Sequence, residues 1–122
     1  MAKRIVSSLA KKLNLKEGMR LRVMRKPGDV KLDDIPITTS LNADAVLVFV
    51  KTRAELDTTC GPVIEAARID RIAWIAYPKG NQLETDLNRD ILMKRIRTEG
   101  IQAVRLIALD DIWSAMRFRP GK

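Results

Sequence analysis

The side chains best suited to chemistry fall in two short stretches. One runs from Lys79 through Asp86 to Arg89, and the other holds Trp113, Ser114 and Arg117. Lys79 follows an apolar run that Pro78 stops, so it falls at the carboxyl end of a strand, where open α/β sheets bind ligands. Its ammonium suits an anion, and Asp86 can orient the group so held. Arg89 carries a second signal. At about 100° per residue, Leu87, Ile91, Leu92, Met93 and Ile96 cover a broad helical arc, and Arg89 falls inside it. A guanidinium directed at a packed surface needs a carboxylate, phosphate or carbonyl partner. Two readings stay open: an internal ion pair, with Asp86 or an acid near the C-terminus, and an anionic ligand. Trp113 beside Arg117 can stack on a base or ring, or serve as a core or interface tryptophan.

The inventory for catalysis is thin. Asp86, Asp90, Asp110 and Asp111 are the acids or bases at hand, with Ser114 and Cys60 as nucleophiles, and no base accompanies either nucleophile. The absence of histidine excludes a Ser-His-Asp triad, a Cys-His pair and any His-containing zinc site. The single cysteine, Cys60, excludes an intramolecular disulfide and a Cys-cluster metal centre. Lying just before Gly61-Pro62, it reads as a small packed apolar residue. Asp110-Asp111 reads as a tight turn, because adjacent turn residues diverge and no third ligand accompanies them. We expect no metal and no resident cofactor.

Charge is strongly asymmetric. Residues 1–26 hold nine Lys and Arg against the single acid Glu17, whereas the remaining 96 are balanced, so the net +8 belongs to this basic segment. Such asymmetry suits a polyanionic partner, nucleic acid among them, with Lys3, Arg4, Lys11 and Lys12 as the contact residues. Ile5, Val6, Leu9 and Leu13 fall on one helical face, a narrow stripe without aromatics that reads as a first helix packed on the domain. Interrupted by Ser7, Ser8, Lys11 and Lys12, the stretch is too short for a secretory h-region, though its basic, acid-poor composition has a transit-peptide flavour. The longest apolar run, about six residues, is far below the roughly 20 that span a bilayer. We expect a cytoplasmic protein.

These residues need a scaffold, and the patterning supplies one. Residues 45–50 and 72–77 are continuous apolar runs, the mark of strands buried on both faces. Residues 20–23 alternate as a half-buried strand, closed by Pro27-Gly28-Asp29, and Ile35 and Ile37 around Pro36 suit an edge strand. A helical stretch over residues 53–68 is broken by Gly61-Pro62, with Pro62 in the first turn of the second piece. The next helix starts at Thr85 as N-cap, with Asp86 at its positive end, and stops at Gly100. Residues 104–109 and 112–119 form a hairpin whose final strand is half solvated and whose exposed edge suits pairing with a second copy. With 122 residues, the chain makes a single Rossmann-like α/β domain, 1–122, whose mainly parallel sheet of about five strands ends in an antiparallel hairpin.

Such a sheet resembles that of class I SAM-dependent methyltransferases. Residues 15–119 more closely resemble an uncharacterised bacterial family of unknown function, itself similar to a truncated methyltransferase fold. The carrying segments are 15–20 (LKEGMR), 43–49 (ADAVLVF), 52–56 (TRAEL), 74–79 (WIAYPK), 85–90 (TDLNRD) and 113–118 (WSAMRF). The resemblance implies a Rossmann-like fold and supplies no activity. A SAM loop needs several glycines after the first strand, and residues 25–29 (RKPGD) offer one glycine and a rigid proline, with no helix to follow. Asp33 and Asp34 sit in irregular sequence, poorly placed for ribose hydroxyls. Three functions follow in order: a non-catalytic binding or regulatory module, a nucleic-acid-associated protein using the basic segment, and an enzyme acting at a Lys79–Arg89 cleft.

Overall fold

The computed structural model describes residues 8–28, 30–32, 35–80 and 82–121. Lys3, Arg4, Ile5, Val6, Asp29, Asp33 and Asp34 lie outside them. The elements are α1 (Ser8–Lys12), β1 (Leu21–Met24), β2 (Ile37–Thr38), β3 (Ala45–Phe49), α2 (Arg53–Thr59), α3 (Gly61–Arg68), β4 (Ile72–Pro78), a 3₁₀ turn (Gln82–Glu84), α4 (Arg89–Arg97), β5 (Ile101–Ala108) and β6 (Trp113–Pro120). The architecture is α/β with a six-stranded sheet ordered β2-β1-β3-β4-β6-β5. β2, β1, β3 and β4 are mutually parallel, and β6 is antiparallel to both its neighbours. Two reversals return β5 to the direction of β4. None of the described helices is long and apolar enough to cross a membrane.

β3 and β4 are continuously apolar because both their faces are covered. Val46, Val48, Ala73, Ile75 and Tyr77 face one core with Leu56, Val63, Leu92 and Ile96 of the helices. Ala45, Leu47, Phe49, Trp74 and Ala76 face the other. Each fully buried Leu, Ile or Phe here contributes about 1.5–3 kcal/mol. The second core has little helix over it. Leu13, the Trp74 ring and the buried Val30, Leu32 and Ile35 of the irregular stretch close it. Trp74 Nε1 donates to the Leu13 carbonyl at 3.0 Å, fastening the end of α1 to the centre of the sheet. Of the expected stripe, Leu13 is buried and Leu9 half-buried, Ala10 beside them is buried, and Lys11 and Lys12 are exposed.

Local signals explain most boundaries. Gly61-Pro62 separates α2 from α3, with Pro62 in the opening turn of α3. Gly100 has φ +85°, the left-handed conformation that follows a helix end. β1 ends earlier than Pro27, because Arg25 already has φ +62°. The start of α4 differs from expectation: its N-cap is Asn88, whose Oδ1 accepts from Ile91 N at 2.9 Å. Thr85 has another task. Its hydroxyl donates to the Lys51 carbonyl and accepts from Leu87 N, so it fastens the β4–α4 connection to the start of α2. α4 is fixed to α2 by Arg95, which contacts Asp57 at 2.7 Å and Glu99 at 2.9 Å.

The hairpin forms as expected, and Asp110 turns it by accepting from Ile112 N and Trp113 N at 2.8 and 2.7 Å. Its position in the sheet does not follow expectation. β6 lies inside, between β4 and β5, with Ala115, Met116 and Phe118 buried, so the exposed edge is β5. β5 begins at Ile101 and carries an irregularity between Ala103 and Arg105, where Val104 is 46% exposed. Arg119 forks onto Asp70 at 2.9 and 2.8 Å, tying β6 to the turn after α3 and holding the Asp70 carboxyl below its ordinary range.

Candidate functional site

Two clefts open at the carboxyl ends of the parallel strands. The chain passes from β1 to β2 on one side and resumes with β3 on the other, so strand order reverses between β1 and β3. A crevice at such a reversal is where open α/β sheets bind ligands. Here the crevice, about 290 Å³, is lined by Arg25, Pro27, Phe49, Val50, Lys51, Glu55, Leu83 and Trp113. Glu55 engages two of its neighbours. Glu55 Oε2 meets Arg25 Nη2 at 3.4 Å, and Glu55 Oε1 accepts from Lys51 N at 2.7 Å. Trp113 is 3% exposed and meets Phe49 edge-to-face, centroids 5.1 Å apart. Sequence alone misses this crevice, because finding it requires the strand order. SAM is expected to show no binding in calorimetry, since Pro27 and the Arg25–Glu55 pair stand where a glycine loop would let a ligand approach the backbone. Micromolar affinity would overturn that expectation.

The second cleft, about 360 Å³, lies at the end of β4. Tyr77 and Lys79 come from β4 and its exit, Ser114 from β6, Leu106 from β5, and Asn88, Arg89 and Asp90 from the start of α4. Register explains part of the convergence, because Tyr77 and Ser114 are cross-strand partners. Lys79 is held by its backbone, whose N–H donates to the Ile112 carbonyl at 2.7 Å. Among the described residues, no carboxylate lies within 4.0 Å of its ammonium. Burial pushes the Tyr77 phenol above its ordinary value, against a smaller opposing pull from Arg89. It therefore stays protonated at neutral pH, a hydrogen-bonding group and not a base.

Arg89 departs from the expected packed position. Its side chain is 64% exposed, and among the described residues its one ion pair is a loose 3.6 Å contact with the still more exposed Asp90. The reason is its place in the helix: Arg89 opens α4, and that first turn stands over the cleft instead of over the sheet. An exposed pair of this kind is worth about 0–1 kcal/mol. Asp86 is not its partner. Asp86 Oδ1 accepts from Arg53 N at 2.7 Å, at the start of α2.

Of the six residues singled out as ligand-binding, Lys79, Arg89 and Ser114 meet in this cleft. Asp86 serves α2 and Trp113 lines the neighbouring crevice. Arg117 lies on the opposite face, where its Nη1 donates to Asn14 Oδ1 at 2.9 Å. Asn88 and Tyr77 complete the cleft. In the sequence Tyr77 closes the apolar run 72–77, just before Pro78. Cys60 is buried in the first core and burial raises its thiol, consistent with a packing role.

No protein-family model matches the chain, and no curated protein matches it in sequence. Among solved structures, the chain is similar to a SAM-dependent methyltransferase from Aquifex aeolicus, at 12% identity and a TM-score of 0.47, covering 90% of this chain and 86% of that one.

Proposed function

We propose that the chain is a non-catalytic binding module whose cleft at the end of β4 takes a small ligand by a phosphate or carboxylate group. The reading rests on one observation. Lys79 and Arg89 line the same cleft, and only the loose Asp90 contact offsets their charge among the described residues. In the neighbouring crevice Glu55 pairs with Arg25, so an anion there would meet a carboxylate already engaged with that cation, which favours the β4 cleft as the anion site. Ser114 and Tyr77 add hydroxyls able to donate to a bound oxygen. Binding is favoured over catalysis because Asp90, the carboxylate in the lining, contacts Arg89, and among the described residues no hydrogen bond joins it to the Ser114 hydroxyl.

Phosphate is the simplest probe. At tenfold excess over its Kd, it should stabilise the folded state by about 1.4 kcal/mol and raise the melting temperature by about 6 °C, with chloride at equal ionic strength as control. Arg89→Met and Lys79→Met should each lose most of this shift. The unliganded Arg89→Met protein should melt near the wild type, because the exposed Asp90 contact contributes little. Equal phosphate shifts in wild type and both variants would defeat the proposal.

A further inference from the structure

β5 and β6 set Arg105 directly opposite Arg117. Like charges in register across an antiparallel pair destabilise the sheet. Neither arginine has a carboxylate within 4.0 Å among the described residues, whereas their neighbour Arg119 is neutralised by Asp70. Arg117 Nε is buried without a hydrogen-bond partner, and Nη1 reaches only the neutral Asn14 side chain. Desolvation, with Arg119 and Arg105 nearby, lowers the Arg117 pKa. Asn14 lies two residues beyond the end of α1, which brings the exposed Lys11 and Lys12 to the same side of the molecule.

We infer that Arg105, Arg117, Lys11 and Lys12 form a docking surface for the phosphodiester backbone of a nucleic-acid duplex. This surface is separate from the β4 cleft and stands on different observations. The cations are spread over three elements, α1, β5 and β6, with Arg105, Lys11 and Lys12 exposed and Arg117 half-buried, which suits a row of phosphates better than one small anion. All five aromatic rings of the chain are buried, so none provides a platform for unpaired bases. Contacts are therefore to the backbone, independent of base sequence, and the net charge of +8 steers the approach. Among the described residues, α1 buries Ala10, half-buries Leu9 and leaves Lys11 and Lys12 outward, and Leu13 just after it is buried, so these residues offer a lipid or protein partner little apolar anchor. The uncompensated arginine pair is stability conceded for binding.

Fluorescence anisotropy with short labelled DNA and RNA duplexes of unrelated sequence tests the inference. Wild type should bind both sequences alike, with affinity falling steeply between about 50 and 200 mM salt. Arg105→Gln should reduce the slope of log K against log salt by about 0.9, and Arg105→Gln with Arg117→Gln by about twice that. Arg105→Gln should also raise the melting temperature, because it removes a like-charge neighbour from an exposed position. Comparing the DNA and RNA arms identifies which backbone supplies the phosphates. An unchanged salt slope in the double variant would overturn the inference. So would a lowered melting temperature in Arg105→Gln, or binding to anionic vesicles with none to either duplex.

Discussion

Trp74→Ala should destabilise the protein by about 3–5 kcal/mol, a large part of the roughly 5–15 kcal/mol that holds a domain of this size. Trp74 has no exposed surface, sits on β4 at the centre of the sheet, and fills the core that Ala10 of α1, Leu13, Val30, Leu32 and Ile35 cover. Trp74→Phe separates packing from anchoring. It keeps an aromatic ring and removes the hydrogen bond to the Leu13 carbonyl, which should cost about 1–3 kcal/mol when that carbonyl is left buried. Hydrogen exchange should then accelerate at the amides of Leu13 and Leu15, which close the end of α1. Unchanged exchange at those amides in Trp74→Phe would mean that α1 is held by other contacts.

Asp86→Ala should lower stability by about 1–2 kcal/mol, about 4 to 8 °C in melting temperature, although Asp86 is an exposed residue. Its carboxylate accepts from Arg53 N in the first turn of α2, next to the Thr52 cap whose Oγ1 accepts from Glu55 N at 3.1 Å. Asp86→Asn keeps an acceptor without the charge and should recover about half the loss. Neither variant should change the phosphate response of the cleft. A variant as stable as wild type with a lost phosphate response would return Asp86 to the ligand site.

What the sequence discloses depends on whether the deciding contact is local. β3 and β4 are legible because burial on both faces leaves a continuous apolar run, and the Gly61-Pro62 break and the Gly100 stop are set by backbone conformation. Thr85 and Asn88 are equally suitable caps in isolation. The choice between them rests on the Lys51 carbonyl, 34 residues away, which engages Thr85. The alternation in β6 reads as one face in water, yet Arg117 is half-buried and bonded to Asn14, just past α1 and 103 residues away, and β5 supplies the outer edge. The apolar arc of α4 misplaces Arg89 because the helix first packs on the sheet a turn later, where Leu92 and Ile96 are fully buried. Lys79 and Arg89 are legible together because strand ends and helix starts converge in this architecture, whereas Ser114, read with Trp113 and Arg117, joins them only through the β4–β6 register. The crevice at the β1–β3 reversal is not, since strand order is a property of the folded sheet.

The central claim, that the β4 cleft is the anion site, is tested most directly by titrating the isotopically labelled protein with phosphate and following the backbone amides. The largest saturable shifts should fall at Lys79, Gly80, Arg89 and Asp90, and Arg89→Met should abolish them. Shifts centred on Arg25, Lys51 and Trp113, or none that saturate, would contradict it.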